Sequence, residues 1–195
     1  SLVDLHISNP TVIEATGSNI SYVTEDFDGA TRSGLTPVDI GADAGNFTPL
    51  DVSGPMITFT NLLNTSSTAN RTLSSVTITD NSNVNVTPGT APRIYYKRST
   101  DDNVFAGNTV ADNGWKYVES TTGASPFSFT IDYNILFGGG VSTGHIIQYF
   151  VVAQDLATTP NVGINSGSFA TTPTDVELAG AFPIGGTIKS YTIVP

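Results

Sequence analysis

Polar and apolar residues alternate with the period of a β-strand in eight stretches of the chain. They are "SLVDLHI" at the start, "PMITFTNL" from Pro55, "RTLSSVTITD" from Arg71, "PRIYYKRS" from Pro92, "WKYVEST" from Trp115, "PFSFTIDY" from Pro126, "HIIQYFVVAQD" from His145 and "TIKSYTIVP" at the end. Clusters of Gly, Asn, Asp, Ser and Pro separate them, as turns require. No stretch sustains the i, i+3, i+4 spacing of an amphipathic helix; "TPTDVELAGAF" reads as one short helical turn or as coil.

Seven of these strands lie from Met56 onward, which fits an antiparallel β-sandwich with long loops. "HIIQYFVVAQD" is apolar on both faces and is expected to be a central strand with a neighbour on each side. "FTID", "VTITD" and "YTIV" alternate as strands with one wet face do. Residues 1–50 hold too few strands to close a core alone. They are expected either to pack on the sandwich or to be the end of a larger upstream domain, so the chain divides into a β-rich segment, 1–50, and a sandwich, 51–195.

Composition narrows the chemistry. Cysteine is absent, so disulfides, thiolate metal sites and a cysteine nucleophile drop out. Seventeen acidic against seven basic residues give a formal net charge of -10, which repels nucleic acid. No apolar run approaches the roughly 20 residues of a membrane-spanning helix, and the opening lacks the basic-then-apolar pattern of a signal peptide, as in a mature product or an excised piece. The abundance of Thr, Ser, Asn and Gly is common in extracellular β-proteins.

The acids concentrate early, in "DFDGATRSGLTPVDIGAD", where Asp26, Asp28, Asp39 and Asp43 share a loop with the single base Arg32. Two readings compete. Asp26 and Asp28, two apart on a strand, present carboxylates to one side, and Asp39 and Asp43 can return as further hard oxygen ligands for calcium. The preferred alternative is structural: Arg32 forks to one aspartate, the others accept backbone N–H groups in Asx turns, and the loop turns at Asp28 and Gly29. An EF-hand is excluded, because counting from Asp26 puts Thr31 at its glycine position and Pro37 where the bidentate glutamate belongs.

Two resemblances attach to these residues. Asp26, Asp28, Gly29, Arg32, Asp39, Ile40, Gly41, Ala42 and Asp43 resemble the D-x-D-G-x-x-R…D-I-G-A-D-E signature that closes right-handed parallel β-helix domains of secreted Bacteroidota proteins. Ala44 stands where that signature has an acid. From "LDVSGPMITFTNLLNT" to "GGTIKSYTIVP" the chain is similar to the fibronectin type III or immunoglobulin-like modules of type IX secreted proteins. In such a module "YFVVAQD" is the sixth strand, with Tyr149, Val151 and Ala153 pointing inward. The resemblance implies a linking or adhesive extracellular module and no catalysis.

Other motifs carry weaker signals. "GVSTG", Gly140 to Gly144, matches a nucleophile elbow and precedes His145, but a glycine run leads in and a strand follows where a helix is required. Ser142 is therefore expected in a hairpin. His6, His145 and the glutamates Glu14, Glu25, Glu119 and Glu177 single out no acid-base pair. Tyr95, Trp115 and Tyr117, with Tyr96 and interleaved basic residues, suggest a glycan platform. The more ordinary reading is core packing, with the basic residues guarding an exposed strand. Sequons at Asn19, Asn46, Asn64, Asn70 and Asn85 are expected by chance in so polar a chain.

The expectation is a non-catalytic structural or adhesive module of a bacterial surface or secreted protein. It requires no cofactor, apart from calcium on the second reading of the loop. Its partners are other domains or copies of a surface protein, or glycans, with no nucleic acid and no membrane span. The alternatives are a filament subunit that self-assembles by strand addition and a carbohydrate-binding module.

Overall fold

The computed structural model describes residues 11, 14, 16–32, 35, 38–45, 47 and 49–195. The strand expected at "SLVDLHI" and the residue His6 lie outside them. The chain divides into two compact units, Ser1–Val52 and Ser53–Pro195.

The second unit is all-β. Its strands are β1 (Met56–Thr58), β2 (Arg71–Thr79), β3 (Arg93–Arg98), β4 (Lys116–Glu119), β5 (Phe127–Ile131), β6 (Ile146–Gln154), β7 (Val162–Ile164) and β8 (Lys189–Thr192). Two antiparallel sheets pack as a sandwich. One runs β1-β2-β5, and the other runs β4-β3-β6 with β7 and β8 both paired to the far side of β6. Among the described residues there is no α-helix; one 3-10 turn, Tyr133–Ile135, follows β5. The stretch "TPTDVELAGAF" forms turns.

Each expected strand from Met56 onward has its counterpart, and the side-chain alternation sets which face is buried. In β5, Phe127, Phe129 and Ile131 point inward; in β2, Leu73, Val76 and Ile78 do. The three-residue step from Leu73 to Val76 reflects a register shift, at which Ser75 takes a φ of 57°. A bulge of this kind restores the inward phase after one extra residue. Facing them, Ile94, Tyr96, Ile147, Tyr149, Val151 and Ala153 complete the core between the sheets. Each large apolar side chain so buried contributes about 1.5–3 kcal/mol.

β6 is central, between β3 and the β7/β8 edge. That edge is interrupted. β7 pairs with Val152–Gln154 and β8 with Ile146–Tyr149, and residues 165–188 leave the sheet between them. Asn165 covers the gap: its backbone N–H donates to the Val151 carbonyl at 3.1 Å and its side-chain carbonyl accepts the Val151 N–H. The excursion is a ribbon, closed by paired hydrogen bonds between Ser168 and Gly185 and by Ala170 to Ala181. It lies over the outer face of the sheet, where Val176, Leu178, Ala181 and Ile184 pack with Tyr95, Trp115, Phe150 and Val152 as a second core. This is why β6 is apolar on both faces.

The covering also changes the reading of the basic residues on β3. They were expected to guard an exposed strand, yet β3 lies between β4 and β6, and Arg93 and Lys97 are buried.

Candidate functional site

In the first unit the acidic loop is held mainly by backbone groups. Glu25 and Thr31 bridge, the Asp26 N–H donates to the Ala30 carbonyl at 3.0 Å, and Gly29 turns the chain at a φ of 80°. Asp26 Oδ1 accepts the N–H groups of Asp28 (3.0 Å) and Ala30 (2.8 Å), as an Asx turn does. Partial burial pushes this carboxyl up, but the N–H groups of Ala30, Asp28 and Ala44 and the Arg32 charge outweigh it and hold the pKa below the ordinary value. The Arg32 guanidinium donates to the backbone carbonyls of Glu25, Asp39 and Gly41. It thus joins the two passes of the loop through main-chain oxygens. Asp39 and Asp43 are buried and Asp28 is exposed.

Asp39 has a neighbour that spacing did not single out. Glu14, only 1% exposed, lies beside it. Glu14 Oε1 accepts the Phe47 N–H at 3.2 Å, and Asp39 Oδ2 accepts the Gly45 N–H at 2.9 Å. Burial, then the Asp39 charge and a hydrogen bond shared with its carboxyl, push the Glu14 pKa up against the Phe47 N–H. A cleft of about 270 Å³ opens nearby, lined by Ile20, Val23, Arg32, Val38, Asp39 and Ile40 among others.

Within the second unit, Asp80 and Asp155 directly follow β2 and β6. Asp155 is fully buried; its Oδ1 accepts the N–H groups of Ala157 (3.2 Å) and Asn161 (2.8 Å), and its Oδ2 accepts the Asn161 side-chain amide at 2.7 Å. Asp80 Oδ1 accepts the Ser82 N–H at 2.8 Å. In the sequence they are the aspartates that end "VTITD" and "VVAQD".

The aromatic set lies in the outer core. Trp115 and Tyr95 are fully buried and Tyr117 half-buried. Tyr95 stacks on Phe150 with centroids 5.3 Å apart, Trp115 meets Phe150 edge-on, and Arg93 sits 4.1 Å over the Tyr117 ring. The Tyr95 hydroxyl donates to the Val176 carbonyl at 2.8 Å. Asn103 accepts from Trp115 Nε1 and from the Ile184 N–H, and donates to the Ile184 carbonyl. These rings are therefore interior surface, closed by the excursion.

The buried cations hold loops. Lys97 Nζ donates to the carbonyls of Arg98 and Asp101, and Lys116 Nζ to those of Gly107 and Asp112. Burial pushes both ammonium pKa values down. At "GVSTG" the relation is a tight turn: His145 Nδ1 accepts the Ser142 N–H at 3.1 Å, and the His145 N–H donates to the Ser142 carbonyl. Tyr149, Val151 and Ala153 face the core between the sheets.

Set against known protein families, curated proteins and solved structures, the chain matches none. No helix among the described residues is long and apolar enough to cross a membrane.

Proposed function

We propose that this chain is a structural or adhesive module of an extracellular bacterial surface protein, in which the sandwich transmits load and presents its loops. The observation that carries this reading is the parallel pairing of the segment between β1 and β2 with the last segment of the second unit. Thr65 and Ile193 form a parallel bridge, with the Thr65 N–H donating to the Thr192 carbonyl at 3.1 Å and the Val194 N–H to the Thr65 carbonyl at 2.8 Å. Asn64 Oδ1 adds a bond from the Thr192 N–H at 2.9 Å. Once a pull on the unit's ends reaches Thr65 past β1, the two parallel segments slide lengthwise, so these bonds are loaded together and not one after another.

The fibronectin type III or immunoglobulin-like assignment belongs to the same proposal. It is supported by the three-strand sheet facing a sheet centred on β3 and β6. Neighbouring domains or copies of a surface protein are the partners this role implies. The spending of Arg93, Lys97 and Lys116 on loop carbonyls also supports it, since it rigidifies loops without offering a reacting group.

Single-molecule pulling on tandem copies tests the reading. The expected trace has a distinct force peak per module and a length gain of roughly 500 Å, from about 3.6 Å per extended residue. Thr65→Pro, which deletes the N–H bonded to Thr192, should lower the peak clearly. A sandwich that extends at negligible force, or one indifferent to Thr65→Pro, would remove the load-bearing role.

A further inference from the structure

We propose that a small monovalent anion of halide type binds at the margin of the inner core, beside Arg71 and the hydroxyl groups of Tyr133, Tyr149 and Tyr191. Arg71 opens β2 two residues before the inward-facing Leu73 and shares its phase, so its side chain enters between the sheets. Its guanidinium carbon lies 4.4 Å from the centroid of the Tyr191 ring on β8. One of its nitrogens, Nη1, is buried and donates to no acceptor. Such a donor is costly until a lone pair meets it. No aspartate or glutamate among the described residues forms an ion pair with Arg71.

The surrounding groups are donors too. Tyr133 and Tyr191 join their hydroxyls through one hydrogen bond, which uses one of their two hydrogens and leaves the other. The Tyr149 hydroxyl accepts the Leu62 N–H at 2.9 Å and keeps its own hydrogen. The Tyr149 and Tyr191 rings lie 5.9 Å apart, which keeps the hydroxyls and the guanidinium in one neighbourhood. Burial pushes the pKa of all three phenols up despite the Arg71 charge, so none becomes the tyrosinate that could balance it. Water would accept the same hydrogens but leave the cation without a counter-charge; a halide supplies both. The three rings are nearly closed to solvent, which favours a single-atom ion over phosphate. The inference is independent of the load-bearing role.

Crystals of the full chain grown in sodium bromide, with anomalous scattering recorded at the bromine edge, test the site directly, and chloride NMR line widths measure binding in solution. Bromide should appear in contact with Arg71 Nη1, and the protein should broaden the chloride line. Arg71→Gln should weaken that binding roughly tenfold or more, as loss of a charge-assisted hydrogen bond implies. Tyr149→Phe, which keeps the ring, should weaken it less. Water in place of bromide at Arg71, or bromide found only at other positions, overturns the proposal. So does a chloride line equally broad with the wild-type chain and with Arg71→Gln. Should Arg71→Gln fail to fold, the bromide position in the wild-type crystal still decides the matter.

Discussion

The inner face of β6 carries Ile147, Tyr149, Val151 and Ala153, and its outer face carries Phe150 and Val152; the same strand thus serves two cores of different make. The inner core is strand against strand. Phe127, Phe129, Ile131, Leu73, Val76 and Ile78 meet it from the opposite sheet, and the tyrosine hydroxyls find partners at the margin, Tyr149 with the Leu62 N–H and Tyr133 with Tyr191. The outer core is strand against ribbon and loop. Its floor is Tyr95, Trp115 and Phe150, its cover is residues 165–188, and buried Arg93, Lys97 and Lys116 tie in the loops around it. A sheet supplies its own backbone hydrogen bonds, so its core needs only apolar filling. A loop does not, so a core closed by loops must import donors from side chains.

The largest expected effect tests whether the inner core governs the whole unit. Phe129→Ala removes a fully buried ring opposite β6 and should cost about 3–5 kcal/mol. It should lower the denaturation midpoint for both faces together. If tryptophan fluorescence, which reports Trp115 in the outer core, kept its midpoint while circular dichroism lost strand signal, the order of dependence would be reversed.

Next comes Ile184→Ala under the ribbon, at 3% exposure, for which a loss of about 2–4 kcal/mol is expected. Its signature is local. Hydrogen exchange should quicken at Ser168, Ala170 and Gly185, whose N–H groups close the ribbon, while the Ile94 and Tyr96 amides in β3 stay protected. Uniform acceleration across both sets would mean that the two cores are one cooperative unit.

The same contrast explains what could be read from the chain. Alternation works where a side chain's burial follows from its place on a strand, so every strand of the inner core was visible as a pattern, Leu73 to Ile78 included. β7 was not. Val162–Ile164 has three residues around Gly163, and a Cβ at Gly163 would meet the Pro55 carbonyl oxygen at 2.0 Å. That strand is specified by close approach of backbone, which leaves no periodic trace. The ribbon is similar: Val176, Leu178, Ala181 and Ile184 are spaced for neither helix nor strand, because turns orient them. Without the ribbon in view, a glycan platform at Trp115 and Tyr95 stands open beside the more ordinary reading of core packing. In the acidic loop the Asx turn at Asp26 was legible. The pairing of Glu14 with Asp39 depends on the fold bringing distant positions together, and nothing local marks Glu14.

Lys116→Met asks whether an ammonium in the outer core acts as a donor or as a filler. Methionine keeps most of the stem's packing but leaves the Gly107 and Asp112 carbonyls without their Nζ bonds, an expected loss of about 1–2 kcal/mol. Faster exchange of the Asp112 and Trp115 amides should accompany it, since those N–H groups bond within this loop. A variant as stable as the parent would assign the lysine to packing alone.

The smallest effect separates the two cores by pH. Asp132, at the end of the inner core, caps the 3-10 turn: its Oδ1 accepts the Asn134 N–H and the side-chain amides of Asn134 and Asn70. These donors, the Asn134 N–H first, outweigh partial burial and hold its pKa below 3.8. The folded chain therefore binds fewer protons here than the unfolded one in the window just below 3.8. This contribution is present above that value and is lost as pH falls through the lowered pKa. Lys97 and Lys116 in the outer core also have lowered pKa values, with burial the leading cause, but their window lies below 10.5, where stability should rise with pH. Acid should thus act on the inner core's margin while leaving the lysine bonds of the outer core charged and intact. Melting curves from about pH 5 to pH 2 should fall less steeply for Asp132→Asn than for the wild-type chain. Equal slopes would remove the aspartate cap from the comparison and place the acid sensitivity elsewhere.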